Sequence, residues 1–229
     1  MIRNRVIALL FRIGSLLFVL YGLLSRMGIL SGNMNFKTIM YYTIQSNFLA
    51  LILFSILTIR TVKGLINDGK TGSAGYFPRF EMVCVIDLLL TLIVYWVLLA
   101  PTTFTMGGSF YLWKFDNLAV HLITPILCLV DYFLFTESNH LKYRDVYYVL
   151  IYPLSYVAFA TITGLMGYVY NISSIDGKPV HYAYFFFDYD RVGAKSLVYI
   201  GGLILFFLVL SHIMYLFDKK VYKPLVVSK

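Results

Sequence analysis

Six long apolar runs, separated by short polar stretches, decide what this chain can fold into. A helix crossing roughly 30 Å of hydrocarbon needs about 20 mainly apolar residues, and segments 6–24, 38–59, 82–100, 115–135, 146–170 and 194–217 each meet that length. Inside a bilayer every backbone N–H and C=O must be bonded within the protein, so only helices and closed barrels can cross it. Barrel strands alternate apolar and polar residues over about 10 positions; these runs are longer and continuous. The composition agrees. Of the 229 residues 60% are hydrophobic and 13% charged, against about 45–50% and 25% in soluble domains. A globule of this size cannot hide such an excess. The expectation is an all-α, polytopic membrane protein: one domain over 1–229 with six transmembrane helices.

The first run follows a basic start, MIRNR, as a signal peptide would. Its apolar core is longer than the 7–15 residues of such peptides and no A-x-A site follows, so it reads as a retained helix. The net charge of +8 does not mark a nucleic-acid protein, because the basic residues lie mostly between the apolar runs, where they orient the chain. With the N-terminus inside, the cytoplasmic segments hold Arg3, Arg5, Arg60, Lys63, Lys70, Arg79, Lys142, Arg144, Lys219, Lys220, Lys223 and Lys229. The opposite side holds Arg26, Lys37, Lys114, Lys178 and Arg191, with Lys195 at a helix mouth. Both termini are expected in the cytoplasm, and the membrane to be the plasma (cell inner) membrane. Cys84 and Cys128 both lie inside apolar runs, which excludes a disulfide framework and a CxxC motif. His, Asp and Glu show no ligand spacing; no metal and no cofactor are expected.

Two connections carry information. The stretch 60–79, containing NDGKTGSAG, reads as a flexible polar loop. The stretch 171–193 contains HYAYFFFD, too aromatic for open water, and is expected at the interface or folded over the bundle as a lid.

Ionisable groups cost about 2.5–3.5 kcal/mol at the bilayer centre on insertion scales, so each needs an explanation. Arg12, Asp87 and Asp131 fall at similar depth near the cytoplasmic side and read as one structural network pinning helices together. A second polar layer lies towards the outer side: Thr43, Gln45 and Asn47 on the second run, and Asp116, Asn117 and His121 on the fourth. At about 1.5 Å per residue, Thr43 and His121 both sit some 7–9 Å deep, so a hydroxyl and an imidazole can meet there. Thr43 and Asn47 are four residues apart and share a helix face, as do Asn117 and His121. Pro125 is expected to free the His121 carbonyl and kink the helix beside this cluster. A lone threonine in a membrane helix usually bonds back to a carbonyl one turn earlier, and that plain reading competes with a chemical one.

At these residues the chain resembles a known family. YYTIQSNFLA (41–50) and DNLAVHLITPILCLVDYFLF (116–135), followed by YPLSYVAFATITG (152–164) and YAYFFFD (182–188), are similar to the androgen-induced protein family. That family includes the androgen-dependent protein regulating tissue factor pathway inhibitor and six-helix prokaryotic relatives; TIQSN is closer to the prokaryotic branch. Its animal members are integral-membrane threonine hydrolases that cleave fatty acid esters of hydroxy fatty acids. The resemblance implies Thr43 as nucleophile, His121 as general base, and a lipid ester drawn from the membrane as substrate. Asp116 or Asn117 would orient His121, and Asn47 is the first candidate for an oxyanion donor. Two other functions fit the same pattern: a channel or transporter for a small solute, and a non-catalytic membrane scaffold.

Overall fold

The structure, a computed structural model, describes residues 1–101, 112–173 and 176–220. Six helices among them are long and apolar enough to cross a bilayer: Arg5–Arg26, Tyr42–Asp68, Pro78–Leu99, Phe115–Phe135, Tyr143–Leu165 and Lys195–Lys220, here the first to sixth spans. The fold is all-α and polytopic, and the chain is an integral multi-pass membrane protein. The one sheet among the described residues is a two-residue hairpin pairing Asn171–Ile172 with Pro179–Val180. Lys223 and Lys229 of the expected basic face lie outside the described residues.

Local chemistry explains where the ends differ from expectation. The first span starts where the Asn4 side chain accepts the N–H groups of Val6 and Ile7, satisfying donors that the helix leaves free. The second span runs nine residues past 59 and stops at Gly69, whose φ of 80° continues no α-helix. The third begins earlier than 82, at Pro78, a residue suited to a first helical turn. The fifth stops at Leu165, short of 170, with Gly167 left-handed just beyond. Nor is the stretch 60–79 a free loop. Its first part is helix, and Arg5 grips the rest, donating from Nε to the Ser73 carbonyl and from Nη1 to those of Gly69 and Thr71.

Lipid tails are as apolar as leucine, so helices in a bilayer associate through close packing and polar contacts. Both are visible. Gly22 of the first span lies so near the fourth that a Cβ there would sit 2.9 Å from Ala119 Cβ. Arg12, fully buried, holds both oxygens of Asp131 at 2.9 Å and donates to Thr61 Oγ1 and the Ala74 carbonyl at 2.7 Å. Three spans and a loop meet at this one guanidinium. Asp87 is not part of that network, contrary to expectation. Because the third span begins at Pro78, Asp87 lies deeper, and it accepts a bond from Tyr42 Oη at 3.1 Å. Its place near the N-terminal face is taken by Glu81, bonded to the Thr136 hydroxyl and to the Phe77 amide. Cys84 and Cys128 are buried free thiols.

Candidate functional site

Each of two spans contains one widened turn, and each turn stands just ahead of a proline. Tyr95–Leu99 forms a π turn closed by the Ala100 amide on the Tyr95 carbonyl, and Pro101 follows. Ala119–Ile123 forms the second, closed by the Thr124 amide on the Ala119 carbonyl, and Pro125 follows. A proline ring crowds the carbonyl four residues back and supplies no N–H; widening the preceding turn relieves the clash. In this register the carbonyl left without its partner is that of Val120, not His121. The Asn47 side chain fills the gap, donating to Val120 O at 3.0 Å and to Thr43 O at 2.7 Å.

The two turns supply rings that face each other. Tyr95 and His121 stack with centroids 3.6 Å apart and planes 22° from parallel. His121 Nδ1 lies 3.0 Å from the Asn117 carbonyl. A carbonyl only accepts, so Nδ1 carries the proton and, in the neutral ring, Nε2 keeps its lone pair. The Asn117 side chain is used elsewhere, donating to the Leu112 carbonyl.

Thr43 sits in the first turn of the second span, buried. Thr61, Thr91 and Thr163 each bond back to a carbonyl four residues earlier. Among the described residues Thr43 shows no such bond, and the carbonyls it would use are taken: Ile39 O by Gln45 Nε2 and Met40 O by Tyr156 Oη, both at 3.0 Å. Tyr184 stands on the same cavity wall as Thr43.

Thr43 and His121 share the wall of one cavity of about 510 Å³. Arg26, Asn33, Asn35 and Thr38 line its polar side, Tyr95 lies beside His121, and Tyr184 and Phe185 close it from the 171–193 stretch. That stretch folds over the bundle as a lid, with Tyr182, Phe186 and Phe187 buried. A second, narrow space of about 60 Å³ meets the first at Thr43, Tyr95, Leu99 and Tyr184. Its remaining wall is apolar or aromatic, apart from Thr91, and runs between the third, fifth and sixth spans. Thr43 therefore stands where a polar vestibule joins an apolar crevice.

Three expected helpers are placed differently. Both amide hydrogens of Asn47 are used on backbone carbonyls, so it has none to offer an oxyanion; it ties the Thr43 turn to the His121 turn. Asp116 pairs with Arg26 at 3.0 Å near the surface and does not touch His121. Asn117 does orient His121, but through its main-chain carbonyl. Tyr95, Arg26 and Tyr184 were not singled out by sequence. The proline after each π turn was a signal for Tyr95, whereas nothing local to residue 184 connects it with residue 43. Among the described residues no group of three His, Cys, Asp or Glu side chains is placed to hold a metal ion. Comparisons of the chain with known protein families, with characterised proteins and with solved structures gave no match.

Proposed function

We propose that the protein is an intramembrane hydrolase of lipid acyl esters, with Thr43 as nucleophile and His121 as general base. The observation that carries this reading is the shared cavity: a threonine hydroxyl withheld from its own helix, and an imidazole with a fixed tautomer, line one chamber at the mouth of an apolar crevice. A threonine hydroxyl attacks well only when a base takes its proton, and Nε2 of His121 is the nitrogen free to do so.

The reaction follows from these roles. Thr43 Oγ1 attacks the ester carbonyl carbon as its proton passes to Nε2. The tetrahedral intermediate collapses, the C–O bond to the leaving group breaks, and the departing alkoxide takes the proton from His121. Water then attacks the acyl-threonine by the same route and releases the fatty acid. The crevice suits the acyl chain and the vestibule admits water, so the ester carbonyl comes to rest at Thr43. The excess of basic residues on the N-terminal face favours both termini in the cytoplasm, which puts this chamber on the outer side of the plasma membrane.

The test uses purified protein in detergent or bilayer discs with a long-chain acyl ester. Thr43→Ala and His121→Ala should each lower turnover by about 10³-fold or more, and Thr43→Ala should abolish labelling by an organophosphonate probe. Undiminished turnover in either folded variant removes that residue from the mechanism.

A further inference from the structure

We propose that the substrate enters sideways from the bilayer, through a portal between the third and sixth spans whose inner wall is Phe186 of the lid. The inference rests on the hydrolase reading and names the route by which the acyl chain of a membrane-resident ester reaches Thr43.

Three spaces lie in sequence. Leu98, Phe186, Val198, Tyr199, Gly202 and Leu203 line a groove of about 200 Å³. Phe186 and Leu203 are also walls of the apolar crevice, and the crevice meets the vestibule at Thr43. On the other side the first π turn divides the two spaces: Leu98 lines the groove, and Leu99, the next residue, lines the crevice. A chain passing from groove to crevice therefore arrives at the hydroxyl that attacks its ester.

The surroundings of the groove name its occupant. Among the described residues none covers the outer rim: Val198 is 76% exposed, and Tyr199 and Leu98 are exposed beside it. These residues belong to membrane-crossing helices, so lipid tails are the molecules at hand to fill the groove. Its lining offers no polar side chain except the Tyr199 hydroxyl, which suits an acyl chain and gives a charged headgroup nothing to hold. Glycine weakens a helix interior, and in membrane helices small residues usually admit a close neighbour. Gly201 and Gly202 admit none among the described residues; a Cβ at either would meet nothing within 4 Å. Phe186 is buried and meets the Tyr199 ring at 6.4 Å between centroids, so its ring stands between the lipid-facing groove and the interior.

Because nothing stands within 4 Å of a Cβ at position 202, a larger side chain there fills the groove without pressing on the fold. Gly202→Leu and Gly202→Phe are compared with the wild type as purified full-length protein in bilayer discs. One substrate is a palmitoyl ester resident in the membrane; the other is a water-soluble butyryl ester of the same alcohol, which reaches Thr43 through the polar vestibule. The ratio of kcat/KM for the palmitoyl ester to that for the butyryl ester should fall about tenfold or more, the scale on which fit to an apolar pocket discriminates. An unmoved ratio overturns the proposal. A second measurement needs no turnover: a palmitoyl ester carrying a diazirine in mid-chain, illuminated in the discs, should label the segment containing Phe186, and Gly202→Phe should lose that label. Labelling confined to the outer faces of the spans, or labelling of Phe186 that survives in Gly202→Phe, overturns the portal. Turnover that needs Thr43 and His121 with an unmoved ratio leaves the hydrolase standing without the portal. Portal-dependent labelling of a protein that turns nothing over keeps the lipid route and removes the hydrolase.

Discussion

Replacing Asp131 strands the guanidinium of Arg12 inside the bundle, and the structure sets the size of the penalty. Arg12 is fully buried and uses Nε and Nη2 on the two carboxylate oxygens and Nη1 on Thr61 and Ala74. Removing one partner of a buried ion pair costs about 3–5 kcal/mol. Asp131→Asn keeps one acceptor oxygen and the Nη1 contacts survive, so about 3 kcal/mol is expected. Asp131→Leu, which leaves no acceptor, should cost about 5 kcal/mol. The double variant Arg12→Met/Asp131→Leu removes both charges. It leaves the Ala74 carbonyl and Thr61 hydroxyl without the Arg12 donors, a loss of about 1–2 kcal/mol. The double variant should thus be more stable than Asp131→Leu alone.

Reversible unfolding of the purified protein in mixed micelles, titrated with a denaturing detergent, measures these differences. A penalty below about 1 kcal/mol for Asp131→Asn, or a double variant no better than Asp131→Leu, would refute the view that the pair is a buried structural clamp. Ester turnover should survive in the folded double variant, because neither residue lines the cavity of Thr43 and His121. Proton or ion flux through liposomes that depends on this pair would instead favour a conducting path.

Three further outcomes follow from the site. Asp116→Asn should change kcat by less than about threefold, because Asp116 pairs with Arg26; a loss near 10⁴-fold, the cost of removing a triad carboxylate, would restore it as the partner of His121. Gly22→Val should lower turnover by about tenfold or more, since a Cβ would press on Ala119 in the turn that carries His121, and overpacking costs about 1–3 kcal/mol; wild-type kinetics in that variant would show the turn to be independent of the first span. Burial raises the phenol of Tyr184 to about 12 and shifts those of Tyr41, Tyr170 and Tyr182 in the same direction. A folded-state value above the unfolded value of about 10 gives stability that is complete below pH 10 and lost as pH rises towards 12. Thermal midpoints across that window should fall less steeply for Tyr184→Phe, and a parallel decline would disprove the Tyr184 contribution.

The spans were legible because hydrocarbon imposes a length and a composition that few other settings demand. Their ends were not, since a helix may continue into polar surroundings wherever its backbone groups find partners. Arg5 shows this: by holding the Gly69, Thr71 and Ser73 carbonyls it orders a segment whose glycines and polar residues read as flexible. The buried charges were visible as costs, but a cost does not name its partner. Arg12 and Asp131 meet as expected, while Asp87 turns to Tyr42 because the third span starts one turn earlier than its hydropathy suggests.

The site shows the same division more sharply. The polar character and similar depth of Thr43 and His121 were readable, and the proline after His121 announced an irregular helix. The one-residue shift of the π turn could not be read, yet it decides the role of Asn47. In an α register Pro125 would orphan the His121 carbonyl; in the π register it orphans that of Val120, and Asn47 is spent satisfying it. The Asn47 side chain ties the two turns together at the backbone, at Thr43 and immediately before His121. Tyr184 lies 141 positions from Thr43 and shares a cavity wall with it only because the aromatic lid folds inward, a placement set by packing against Tyr41, Tyr156 and Phe187. Sequence periodicity carries no information about such a meeting. A catalytic reading built on helices alone would therefore omit the lid, whose Tyr184 and Phe185 complete one wall of the cavity that Thr43 and His121 share.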